Sequence, residues 1–104
     1  MMMKKKRVNL FATLKSKNSN NKKPIILSGH TDVVPVSKGW SSDPFTATVK
    51  GDKLYGRGSC DMKGFIACTL AYAPIYSKSN LDRDIHFSFF QRLRDHQSID
   101  FHRQ

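Results

Sequence analysis

The sequence predicts an α/β fold, and three observations carry that prediction. PIILSGH (24–30) is a short apolar, β-branched run closing on Ser-Gly, the pattern of a strand buried on both faces of a sheet. Met62, Phe65, Ile66, Leu70 and Ala73 recur at helical spacing, which predicts a helix over 62–73 with Pro74 at or near its end. In LDRDIHFSFF (81–90), Ile85, Phe87 and Phe89 alternate with His86 and Ser88, the period of another strand.

The remaining elements follow in chain order. VNLFATL (8–14) is strand-like, and KSKNSNNKK (15–23) is a polar, turn-rich connector with nothing to bury. VVPVSKGWSSDPF (33–45) is a loop punctuated by Pro35, Gly39 and Pro44, and TATVKGDKLYG (46–56) reads as a hairpin about Gly51 and Asp52. Asp61 stands where the chain enters the helix, a position at which an Asp can serve as a plain N-cap. Beyond Phe90, QRLRDHQSIDFHRQ (91–104) has neither helical nor strand period and no glycine.

Composition narrows the functional classes. The 104 residues suffice for one domain, and no apolar run approaches the ~20 residues of a membrane span. All eight acids are Asp, so no mechanism that needs a glutamate is complete within this sequence. The net charge of +10 suggests an anionic partner, but residues 1–23 hold eight cations and no acid and so supply +8 of it. A basic run of this kind reads as a solvated end, and no nucleic-acid-binding motif accompanies it, so nucleic acid is not the expected partner. Cys60 and Cys68 lack the spacing of a zinc or redox site, and no secretory signal is evident, which makes the cytoplasm the expected compartment.

The candidate chemistry lies at the end of the 24–30 strand. Period-two geometry puts His30 and Asp32 on one side of the backbone, where the carboxylate can hold one imidazole nitrogen and leave the other for a metal. The same pair also reads as a histidine satisfied by a neighbouring carboxylate, without metal. Asp61, 29 residues after Asp32, sits between a Gly-rich turn (Gly56, Gly58) and the helix, at a sheet end where ligands gather.

Read together, ILSGHTDVVPV, Trp40, DPF (43–45) and LYGRGSCDMKGFIAC resemble the metal-dependent amidohydrolases that include acetylornithine deacetylase, succinyl-diaminopimelate desuccinylase, aminoacylases and related carboxypeptidases. The likeness runs from about Val8 to Phe89, and the blocks look most like the acetylornithine deacetylase branch, with the desuccinylase and aminoacylase branches as alternatives. The resemblance implies a three-layer α/β/α, zinc-peptidase-like catalytic domain with a mixed sheet, of which this chain is a fragment. It divides the chain into a basic segment with the first strand (1–23), a partial catalytic domain (24–90) and an unrelated tail (91–104). It implies one or two Zn2+ or Co2+ ions and a small N-acyl amino acid as substrate, such as N-acetylornithine cleaved to ornithine and acetate in arginine biosynthesis.

Carried over residue by residue, His30 ligates a metal, Asp61 bridges the metal pair, and Asp32 is the active-site aspartate that orients His30. A cis peptide after Asp61 is a further family feature, whereas Arg57, Lys63, Trp40 and Cys60 carry no assigned role. The family's Glu-Glu pair, one Glu a general base and the other a ligand, is missing after the last strand, as are the later ligands and the second domain used for dimerisation. The resemblance therefore implies a truncated, inactive piece with weak or no metal binding, as a shifted reading frame would produce. No homodimer is expected of it, nor any role at a membrane. A non-catalytic basic remnant that binds nucleic acid is the reading from another class.

Overall fold

The computed structural model describes residues 8–92. The elements run β1 (Leu10–Leu14), β2 (Ile25–His30), β3 (Thr48–Lys50), β4 (Lys53–Tyr55), α1 (Gly64–Ser77) and β5 (Ile85–Phe90). Strands β1, β5 and β2 form a mixed sheet in that order, with β5 antiparallel to β1 and parallel to β2. Strands β3 and β4 pair separately as the expected hairpin, Lys50 opposite Lys53 across Gly51 and Asp52. The segments expected as strands at 8–14, 24–30 and 84–89 are strands at these positions within a few residues.

The core forms where β5 is flanked on both edges. Ile85, Phe87 and Phe89 are buried on one face of the sheet, against Leu14, Leu27, Leu81 and the α1 residues Ile66, Ala73 and Tyr76. Period two puts these three aromatic and aliphatic side chains together, and period 3.6 brings Ile66, Ala73 and Tyr76 to meet them. The opposite face carries Thr13, whose Oγ1 lies 2.8 Å from His86 Nδ1, with the Phe11 ring 5.2 Å from that imidazole. The connector after β1 is tied down by polar contacts: Ser16 N–H donates to Asp84 Oδ1 at 2.7 Å and Lys22 pairs with Asp82 at 2.7 Å.

Two expectations are corrected, the burial of β2 and the first residue of the helix. Strand β2 is not buried on both faces: Ile25 and Ile26 are exposed, because β2 is an edge of the sheet and α1 covers only its far end. The helix begins at Gly64 rather than at residue 62, since Asp61 and Met62 have non-helical dihedral angles. Pro74 lies near its end, as expected, with the last residues running to Ser77. Proline removes one N–H from the ladder, and the final carbonyls are satisfied instead by Ser77 Oγ on Pro74 O and Ser79 Oγ on Ile75 O, at 2.7 and 2.8 Å. Phe65 and Leu70, which share the helical spacing, are exposed. Helix α1 carries no charge and is apolar around its whole circumference, so spacing alone did not single out its buried face.

Among the described residues one helix packs on the sheet, and no helix is long and apolar enough to cross a membrane. All but the first two residues of the 91–104 tail, and the cations before Val8, lie outside the described residues.

Candidate functional site

The site is built where β2 ends and the chain turns into α1. His30 is the last residue of β2, opposite Phe90 at the carboxyl end of β5. The chain is kept in the sheet one step further by Thr31, whose N–H donates to Phe90 O at 2.8 Å. On the other side, Ser59–Lys63 form a wide helical turn closed by Lys63 N–H on Gly58 O at 2.8 Å. Within it the Asp61–Met62 peptide is cis, as the resemblance implied.

Two glycines make this turn possible. Gly58 has φ +84°, and a Cβ there would stand 2.5 Å from Val33 Cγ1. A Cβ on Gly64 would stand 2.6 Å from Ser59 O. A side chain at Gly58 would be strained by its φ and would push the Val33 side chain aside, and one at Gly64 would have to displace the Ser59 main chain.

The three residues singled out in the sequence converge. His30 Nε2 lies 3.3 Å from Asp61 Oδ1, although 30 residues and a hairpin intervene. On the other edge of the ring, Nδ1 is hydrogen-bonded to the main-chain O of Asp32 at 3.0 Å, with Asp32 Oδ1 at 3.1 Å. One proton cannot serve both oxygens; the main-chain O takes it, and Asp32 Oδ1 is left buried without a hydrogen-bond partner. The imidazole is 17% exposed and the Asp61 carboxylate 84% exposed, so the ring is fixed while the carboxylate faces water. Asp61 caps neither the turn nor α1, whose N-cap positions are Gly58 and Lys63, and this removes the plain helix-cap reading.

The donor geometry suits a cation. With its proton on Nδ1, the ring directs the Nε2 lone pair at Asp61, so two acceptors face one another across 3.3 Å. Ligand bonds of about 2.0–2.1 Å at a tetrahedral angle place neighbouring ligand atoms roughly 3.3 Å apart. His30 and Asp61 therefore fit as two ligands of one ion. Asp32 cannot be a third, because it lies on the Nδ1 side of the ring. Accordingly no group of three or more His, Cys, Asp or Glu side chains that could hold a metal occurs among the described residues.

The pair opens into a cleft of about 470 Å³ whose walls include Trp40, Tyr55, Arg57 and Cys60. Arg57 lies over the Trp40 ring, 5.2 Å from its centre, and its Nε is buried without a hydrogen-bond partner. Sequence reasoning gave Trp40 and Arg57 no role, since nothing in their spacing of 17 residues signals a stacked pair.

The model of peptidase family M20/M25/M40 matches residues 26–91, more than half of the chain. The chain belongs to this family. It is 57% identical over 47 residues to a succinyl-diaminopimelate desuccinylase of Gluconobacter oxydans, a match covering 45% of this chain and 12% of that protein. It is 53% identical over 60 residues to an acetylornithine deacetylase of Proteus mirabilis, covering 57% of this chain and 14% of that protein. Human carnosine dipeptidase 1 superposes with a TM-score of 0.57 at 32% identity, over 79% of this chain and 18% of that one.

The fold is thus part of an M20 peptidase domain, with its mixed sheet and helix. The chain spans less than a fifth of the length of these relatives. The family is one of peptidases that are generally metal-dependent. The narrower assignment to the acetylornithine deacetylase branch is not reached by these matches, which include desuccinylases as well.

Proposed function

We propose that this chain carries one half of the metal centre of an M20 amidohydrolase acting on the amide bond of an N-acyl amino acid. The observation behind the reading is the 3.3 Å approach of His30 Nε2 to Asp61 Oδ1, with Asp32 on the other ring nitrogen. His30 and Asp61 would hold Zn2+ or Co2+, and the main-chain O of Asp32, accepting from Nδ1, fixes the ring so that Nε2 would face the ion. A bound divalent ion in such a centre lowers the pKa of water and polarises the amide carbonyl. The cleft wall of Trp40 and Arg57 gives an apolar surface beside a fixed positive charge, suited to an acyl amino acid with its carboxylate.

N-acetylornithine is the substrate we infer from the signature blocks, which places the parent activity in arginine biosynthesis. The second reading is N-succinyl-diaminopimelate, favoured by the desuccinylases of Gluconobacter oxydans and Zymomonas mobilis among the similar proteins. Two free, exposed cysteines accord with a reducing, cytoplasmic setting. The chain as given is proposed to be inactive. A catalytic zinc normally takes three protein ligands, the described residues offer two, and the sequence contains no Glu to act as general base.

A chimera tests the reading. Residues 26–91 replace the matching segment of the Gluconobacter oxydans desuccinylase, and hydrolysis of N-succinyl-diaminopimelate and N-acetylornithine is followed. We expect the chimera to hydrolyse one of them and its His30→Ala variant to lose at least a hundredfold, while the isolated chain with zinc releases neither product. A folded chimera that is inactive on both, or that is indifferent to His30→Ala, would contradict the proposal.

A further inference from the structure

Lys63 sits two residues beyond Asp61 and belongs to neither the donor pair nor the cleft wall around it. Its ammonium donates to the main-chain O of Thr31 at 2.7 Å, across 32 residues. Thr31 is the residue between His30 and Asp32, so this bond ties the turn bearing Asp61 to the short piece of backbone from which both side chains project. At that point β2 has ended, and the chain has only the Thr31 bonds to Phe90 O left in the sheet.

The neighbouring contact runs the same way: His30 N–H donates to Met62 Sδ at 3.4 Å. Met62 and Lys63 thus reach back to His30 and Thr31 in register, from the turn that carries Asp61. Sulfur is a weak acceptor, whereas a charged donor on a carbonyl is a strong one, so most of the tie resides in Lys63. The glycine turn keeps the way clear: a Cβ at Gly58 would come within 3.1 Å of Lys63 Nζ.

We infer that Lys63 is a positioning residue, a latch whose bond to Thr31 O sets the separation of His30 from Asp61. It acts through backbone and touches neither ion nor substrate. Without it, the His30 end of β2 and the turn bearing Asp61 are joined only through the thioether contact and packing, and the imidazole loses its fixed aim. The inference rests on the proposed metal site for its functional meaning but not for its structural content.

The test separates the two, using the full chain at pH 7 and the ring 1H–15N resonances of its histidines. His86, held by Thr13 Oγ1 in the sheet, reports on the fold, and His30 reports on the site. In Lys63→Met, without metal, we expect the His30 ring signals to collapse toward random-coil positions while those of His86 stay. Lys63→Arg, which retains a donor, restores them. With zinc added, the affinity read from His30 shifts falls roughly tenfold in Lys63→Met, in the range typical of groups that orient ligands.

Unmoved His30 signals in Lys63→Met overturn the inference. So does movement of His30 and His86 together, which would make Lys63 a general support of the fold. A parent chain with both rings at random-coil positions contradicts the arrangement and the inference with it. Absence of any zinc effect on the parent would defeat the metal-site reading alone, since the order of the His30 ring is read before metal is added.

Discussion

Strand β5 and helix α1 are equally apolar in sequence, yet they end in opposite environments. Every residue of β5 except His86 is buried, because β1 and β2 flank it and α1 lies across one face. On α1, Phe65, Leu70, Tyr72 and Ile75 are 41–55% exposed. A helix that is apolar all round belongs in the middle of a larger structure, and this chain matches less than a fifth of the length of its M20 relatives. Within the sheet the central strand β5 is covered, while Leu10 and Phe11 of β1 and Ile25 and Ile26 of β2 are exposed at its edges, as is the outer side of α1.

Truncations along the two elements should therefore differ sharply. Phe87→Ala removes a 7% exposed ring from the centre of the core and should cost about 3–5 kcal/mol, enough to abolish a cooperative urea transition in a domain of this size. If Phe87→Ala unfolds with the parent's midpoint, the core is not where the structure puts it.

Gly58→Ala probes the junction between the sheet and the helix. A side chain at φ +84° costs about 1–3 kcal/mol, to which the approach to Val33 adds. We expect a lowered urea midpoint together with loss of zinc-induced shifts at His30. A stable variant with intact zinc response would show that the turn has more room than the geometry allows.

Leu70→Lys and Ile75→Lys, on the exposed side of α1, should each change stability by less than about 0.5 kcal/mol. A loss like that of Phe87→Ala would mean this face is covered in solution and would erase the contrast between the two elements.

The smallest effect belongs to Asp82, on the surface beside the connector. Its hydrogen bond from Lys22, then that from Arg83, holds the carboxyl below its ordinary range. The charged form is favoured in the folded chain, so the contribution is present above the ordinary aspartate pKa and fades as pH falls through the lowered one. Full exposure keeps it slight and sensitive to salt. Asp82→Asn should lower the thermal midpoint marginally at pH 7 and by less as pH falls below the ordinary aspartate range, and an effect that grows in acid would contradict the assignment.

What the sequence made legible follows the same division. The strands could be read because Ile85, Phe87 and Phe89 alternate and Ile25–Leu27 is a β-branched apolar run, local patterns that sheet pairing then respects. Period two predicted the nearness of His30 and Asp32, but the carboxylate expected to hold Nδ1 is displaced by the main-chain O of the same residue, because the strand ends at His30; the signature blocks pointed to Asp61. The start of α1 was not legible, because Met62 and Lys63 satisfy helical spacing while the cis bond and the wide turn take their backbone elsewhere. Nor was its buried face, since a helix without a polar side has no stripe to read. The stacking of Arg57 on Trp40 and the reach of Lys63 to Thr31 O depend on chain folding over 17 and 32 residues, for which no local pattern exists.

The central claim is that His30 and Asp61 converge as two ligands of one divalent ion, and a zinc titration of the chain followed on its histidine ring resonances tests it most directly. The account predicts saturable shifts at His30 Nε2 with Nδ1 and His86 unaffected, and their loss in Asp61→Asn while the His86 signals stay in place. Zinc shifts that persist unchanged in Asp61→Asn, or that fall on Nδ1 instead of Nε2, would contradict it.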